Sequence, residues 1–157
     1  MEVEDLKKLI EEIVEKSYEL VNKHTLERNA QISYASIFAQ TAQQYDELHQ
    51  VIGKVGTIFE VTPSGAIFKI KPLNTIAGPL QLLKIRRADE TNSELGDVTF
   101  TAENYEELKK DLSKPNFKLI SQKRFELIEL TDKYFNVKAY FMNSRLGLTN
   151  NPTKQID

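Results

Sequence analysis

The chain has 157 residues, 40% of them hydrophobic, and its 21 Lys and Arg against 23 Asp and Glu give a formal charge of -2. That length builds one good core rather than two large independent ones, and so even a charge balance supplies no global field toward nucleic acid or an anionic membrane. With zero Cys, disulfides, thiolate zinc sites, iron–sulfur clusters and cysteine nucleophiles are all excluded.

No stretch approaches the roughly 18 consecutive apolar residues of a membrane span. The opening run Met1-Glu2-Val3-Glu4-Asp5 is acidic where a secretory signal is basic and then apolar. These features predict a cytoplasmic protein with neither nucleic acid nor membrane as a partner.

The first element is an amphipathic helix over residues 3–24. Its apolar positions Leu6, Leu9, Ile10, Ile13, Val14, Leu20 and Val21 recur at spacings of three and four, with Glu and Lys between them. Such a stripe has to cover a surface, either the rest of the domain or a partner. His24, at the end of this helix, suits the negative end of the helix dipole.

Further along, residues 41–48 read TAQQYDEL and residues 101–108 read TAENYEEL, a repeat at an offset of 60. Each copy follows a short strand-like run, Ser33 to Ala39 or Gly96 to Thr101. Each is expected to open a helix with Thr as its cap and acidic or amide groups in the first turn. In the first half three strands follow, Thr57 to Val61, Ala66 to Lys71 and Leu80 to Ile85; in the second, Phe117 to Ser121, Phe125 to Thr131 and Phe135 to Met142. Pro63-Ser64-Gly65, Gly78-Pro79 and Thr131-Asp132-Lys133 supply the turns. The fold class is therefore α+β: tandem βαβββ modules, residues 31–88 and 95–143, building one curved mixed sheet with helices on its outer face. Residues 144–157, rich in Asn, Thr and Pro, read as a flexible tail.

This module order resembles the vicinal oxygen chelate, or glyoxalase-like, superfamily over roughly residues 31–142. Ala66-Ile67-Phe68-Lys69-Ile70-Lys71-Pro72, Leu80 to Arg86 and Gly96-Asp97-Val98-Thr99-Phe100 are most similar to its YecM-like branch of metal-binding proteins. The resemblance implies a divalent metal held in the concave cup of the sheet by His or Glu side chains. The positions matching those ligands hold Tyr34 and Asp97 in place of the two His, with Lys84 on or near the place of the Glu. An ammonium cannot coordinate a cation, and its charge raises the cost of placing one nearby. The sequence thus points to a neutralised site, with Lys84 paired to Asp97 and Tyr34 supplying a hydroxyl, that binds a small anionic ligand; the alternative is a solvated rim where Lys84 and Asp97 never meet.

Further polar candidates are Gln81, Arg86, Glu126, Glu129, Lys138 and Tyr140. Glu126 and Glu129 are three apart on one strand and so face opposite sides; which side is concave is open at this point. Arg86 belongs to the basic run Lys84-Ile85-Arg86-Arg87, able to read a carboxylate or phosphate through its planar donor fork. No metal cofactor is favoured, but a magnesium or manganese site of Asp97, Gln81 and Glu129, serving an enzyme, stands as the alternative. A third reading is a non-catalytic interaction module, including a homodimer. His24 and His49 lack metal or triad spacing, and His49 reads as a surface residue. Neither a GxGxxG nor a GxxxxGK[ST] phosphate loop occurs.

Overall fold

The computed structural model describes residues 1–122 and 125–143, so the expected tail at 144–157 lies outside the described residues. Helix α1 spans Val3–His24. The N–H of Glu2 donates to Asp5 Oδ2 at 2.8 Å at its start, satisfying a group with no partner inside the helix. At its end the Thr25 N–H and hydroxyl both return to the Val21 carbonyl, at 2.9 and 2.8 Å. The stripe of Leu6, Ile10, Ile13, Val14, Leu20 and Val21 is buried against the domain's own sheet and second helix. Burying each of these side chains contributes about 1.5–3 kcal/mol.

Strand β1 (Gln31–Phe38) leads into α2 (Ala42–Ile52), then β2 (Gly56–Thr62), β3 (Gly65–Thr75) and β4 (Gly78–Arg86). The second module follows with β5 (Gly96–Ala102), α3 (Tyr105–Lys109), a 3-10 turn (Lys110–Ser113), β6 (Phe117–Gln122), β7 (Phe125–Leu130) and β8 (Val137–Asn143). All eight strands form one sheet in the order β2-β3-β4-β1-β5-β8-β7-β6. Within each module the first strand runs parallel to the last, β1 with β4 and β5 with β8. The modules meet where β1 and β5 pair antiparallel. The expected α+β class and its duplicated βαβββ plan are what the structure shows.

The two repeats begin their helices differently. Thr41 caps α2, its hydroxyl accepting the Gln44 N–H at 3.0 Å, as its sequence context predicts. Thr101 does not cap α3: it lies in β5, opposite Gln31 on one side and Met142 on the other. Ladder partners on both sides hold Thr101, and Asn143 carries β5 on to Ala102, so α3 starts only at Tyr105. Leu48 and Leu108, equivalent in the repeat, are both buried. The shared sequence thus marks the inward anchor of each helix more faithfully than its first residue.

The core lies between the helices and one face of the sheet. Ala35, Ile37, Leu83, Ile85, Val98, Phe100, Ala139, Phe141, Ile128 and Leu130 join the buried side chains of α1, α2 and α3 in it. Because successive side chains on a strand alternate between faces, the residues between these point away from the helices. Among the described residues, no helix is long and apolar enough to cross a membrane.

Candidate functional site

The face turned away from the helices carries a polar row across its centre. On β1, Ser36 lies opposite Lys84 of the parallel strand β4 and opposite Asp97 of the antiparallel strand β5. Asp97 in turn lies opposite Lys138 on β8. One level along, Tyr34, Thr99, Tyr140 and Glu129 form a second row over β1, β5, β8 and β7. Directly opposed residues share a face, so these eight side chains belong to one surface. A small apolar cluster of Leu127, Tyr140 and Met142, with Ile120 against it, flanks the polar rows on the second module.

Three of the four members of the first row are buried, Ser36, Lys84 and Asp97, with Lys84 1% exposed and Asp97 0%. This rules out the solvated-rim arrangement for both residues. Neither carboxyl oxygen of Asp97 has a hydrogen-bond partner, nor do Ser36 Oγ and Thr99 Oγ1. Lys84 makes no hydrogen bond to Asp97; its charge acts on the carboxylate through space. Burial pushes the Asp97 carboxyl up to about 6, opposed by the Arg86 charge first, then by Ser36, Lys84 and Lys138. The Ser36 hydroxyl lies near enough to favour the ionised form while falling short of hydrogen-bond geometry. Arg86, a secondary candidate in the sequence, is thus the leading cation on Asp97. Its guanidinium carbon sits 5.2 Å from the centre of the Phe38 ring, its neighbour across β1. This is within cation–π range.

Tyr140 donates to Glu129 Oε2 at 2.9 Å. Burial, then Asp97, then Glu129 hold its phenol well above the ordinary range. Lys138 Nζ is 3.9 Å from Glu94 Oε1. Both residues also line a surface groove of about 960 Å³ with Lys16, Asp132, Tyr134 and Asn136. Arg86 on β4 and Lys138 on β8 are only partly buried, whereas Lys84, Ser36, Asp97 and Thr99 between them are buried.

Two expected members stand elsewhere. Gln81 is exposed, three residues along β4 from Lys84 and two strands from Asp97, or roughly 14 Å between Cα atoms at ordinary strand spacings. The oxygen set of Asp97, Gln81 and Glu129 is therefore not brought together. Glu126 belongs to the helix side, where it accepts the Tyr105 hydroxyl at 3.2 Å and lies 2.6 Å from Lys109 Nζ. Among the described residues, no three His, Asp or Glu side chains cluster at metal-binding distances. His49 is not a plain surface residue: its ring is half-buried between Tyr45 and Phe68, with centroids at 4.3 and 5.4 Å, and burial lowers its pKa. Ser36 and Thr99 were not singled out from sequence, although each is two residues from one that was, Tyr34 and Asp97, and so shares its face.

No protein-family model matches the sequence, and no curated protein matches it. Solved structures do. A structural-genomics protein, EC4020, aligns at a TM-score of 0.67 and 12% identity, covering 88% of this chain and 87% of that one. A glyoxalase/bleomycin resistance protein/dioxygenase superfamily member from Vibrio splendidus 12B01 aligns at a TM-score of 0.47 and 8% identity, over 73% of this chain and 99% of that one. A mutant of glyoxalase I from Zea mays aligns at 0.41 and 17%, over 74% of this chain and 44% of that one. The chain thus shares its fold with the EC4020 protein.

Proposed function

We propose that this chain is a vicinal oxygen chelate type domain, allied to the YecM-like branch, whose helix-averted face binds a small anionic ligand without a divalent metal. The observation that carries the reading is the buried alignment of Lys84, Ser36 and Asp97 on adjacent strands, with Arg86 and Lys138 acting on the same carboxylate. Three cations around one carboxylate repel a further divalent cation. One phenol, one ammonium and a single carboxylate at the matching positions make a poor ligand set for one. The same cations suit a carboxylate or phosphate, with the Arg86 fork as the group that orients it.

Thermal unfolding of the full chain, purified without chelators, tests this. Small carboxylates or phosphates are expected to raise the melting temperature in proportion to occupancy, and Arg86→Ala to remove the rise. A stoichiometric ion in the purified protein, with stabilisation by magnesium, manganese, zinc or nickel instead, would favour a metal-dependent enzyme.

A further inference from the structure

The buried acceptors on this face set a condition that an anion alone cannot meet. Both Asp97 carboxyl oxygens, Ser36 Oγ and Thr99 Oγ1 are buried without hydrogen-bond partners. Ser36 flanks Asp97 across β1, and Thr99 lies two residues along the same strand. Buried polar groups are nearly always paired, and an unpaired one is costly. A group meeting Asp97 here has to donate hydrogen bonds. It also has to do so beside Arg86, Lys84 and Lys138, all of which act on Asp97, while the nearby carboxylate Glu129 is already engaged by Tyr140.

Resting on the proposed binding role of this face, we infer that its ligand is a small hydroxy acid, with its hydroxyl donating to Asp97 and its carboxylate held by Arg86. A plain carboxylate satisfies the cations but leaves the Asp97 oxygens unpaired and adds a like charge beside them. An amino acid offers a donor as an ammonium, which brings a fourth positive charge among three. A neutral hydroxyl donates to Asp97 without that repulsion, and its own oxygen can accept from Ser36 or Thr99. Sites built to hydrogen-bond a substrate hydroxyl reject analogues lacking it, because their polar groups are then left unpaired.

Calorimetric titration of the full chain with malate, succinate and aspartate tests this, since the three differ only in bearing a hydroxyl, a hydrogen or an ammonium on one carbon. Malate is expected to bind about tenfold or more tighter than the other two, the size of one charged hydrogen bond. Asp97→Asn should bring malate and succinate within about twofold of each other. Thr99→Val, a milder change to the same face, should narrow the gap part way. Arg86→Ala should weaken all three. Succinate or aspartate binding as tightly as malate, or an unchanged ratio in Asp97→Asn, overturns the hydroxyl preference while leaving anion binding intact. Absence of binding by all three overturns the preference, and absence of any rise in melting temperature with phosphate as well overturns the binding role beneath it.

Discussion

Ser36 and Asp97 face one another across the antiparallel seam of β1 and β5, where the two modules join. Their side chains are buried, yet neither forms a hydrogen bond. The seam therefore holds a carboxylate that burial works to protonate.

The Asp97 charge should cost stability, in a window set by its raised value of about 6. An acid whose folded value lies above its unfolded value, about 4, binds more protons folded than unfolded between the two. Its penalty is absent below that window, grows as pH rises through it and is complete above it. Asp97→Asn should thus be more stable than wild type by on the order of 3 kcal/mol at pH about 7.5, with the gain vanishing near pH 4. Urea denaturation at both pH values measures this. A variant less stable than wild type at the higher pH would show that the carboxylate is held by partners after all.

Asp132 should behave in the opposite sense. Its Oδ2 receives Lys23 Nζ and His24 Nε2, both at 2.8 Å, and its Oδ1 accepts the Tyr134 N–H at 2.9 Å. These bonds tie the end of α1 to the turn between β7 and β8. The Lys23 bond, then those from Tyr134 and His24, hold the carboxyl well below the usual carboxylate range. That stabilisation is complete above about pH 4 and is lost as pH falls further. Asp132→Ala should lower the melting temperature at neutral pH, and the gap from wild type should narrow in acid. A constant gap would mean that the side chain acts by packing alone.

Two of the six tyrosines should resist alkali. Burial raises the phenols of Tyr105 and Tyr140, with Glu126 adding to the first and Asp97 and Glu129 to the second. At pH about 11, above the ordinary tyrosine value, Tyr140→Phe should leave the phenolate absorbance of the folded protein unchanged. A reduced amplitude would place Tyr140 in contact with solvent.

The glycines should divide by location. At Gly96 an added Cβ would meet the Ser36 carbonyl oxygen at 2.1 Å and Ile13 Cδ1 at 2.9 Å, so Gly96→Ala should destabilise by about 1–3 kcal/mol and displace Asp97 beside it. At Gly53 the nearest atoms are 3.5 Å away and φ is -59°. Gly53→Ala should therefore stabilise by about 0.4–1 kcal/mol by restricting the unfolded chain. Equal effects from the two substitutions, measured by denaturation, would refute the close approach of β1 to β5 at Gly96.

The order of the elements, the buried stripe of α1, the Thr41 cap and the duplicated modules were all legible in the sequence, because periodicity and turn chemistry are local properties. Alternation likewise separated Glu126 from Glu129, but it gives only relative faces; the helices, packing on one side of the sheet, decided that Glu129 joins Tyr140 and that Glu126 goes to Tyr105 and Lys109. Irregular pairing between Ile32 and Tyr34, and between Lys69 and Leu73, shifts the register where simple alternation would carry on. Strand neighbours distant in the chain set Ser36 between Lys84 and Asp97, kept Thr101 in β5 and left Gln81 outside the row. Sheet pairing is a long-range choice, and the electrostatics of a buried carboxylate depend on every strand beside it, so the site's membership and the leading influence of Arg86 on Asp97 emerged only once the chain had closed on itself.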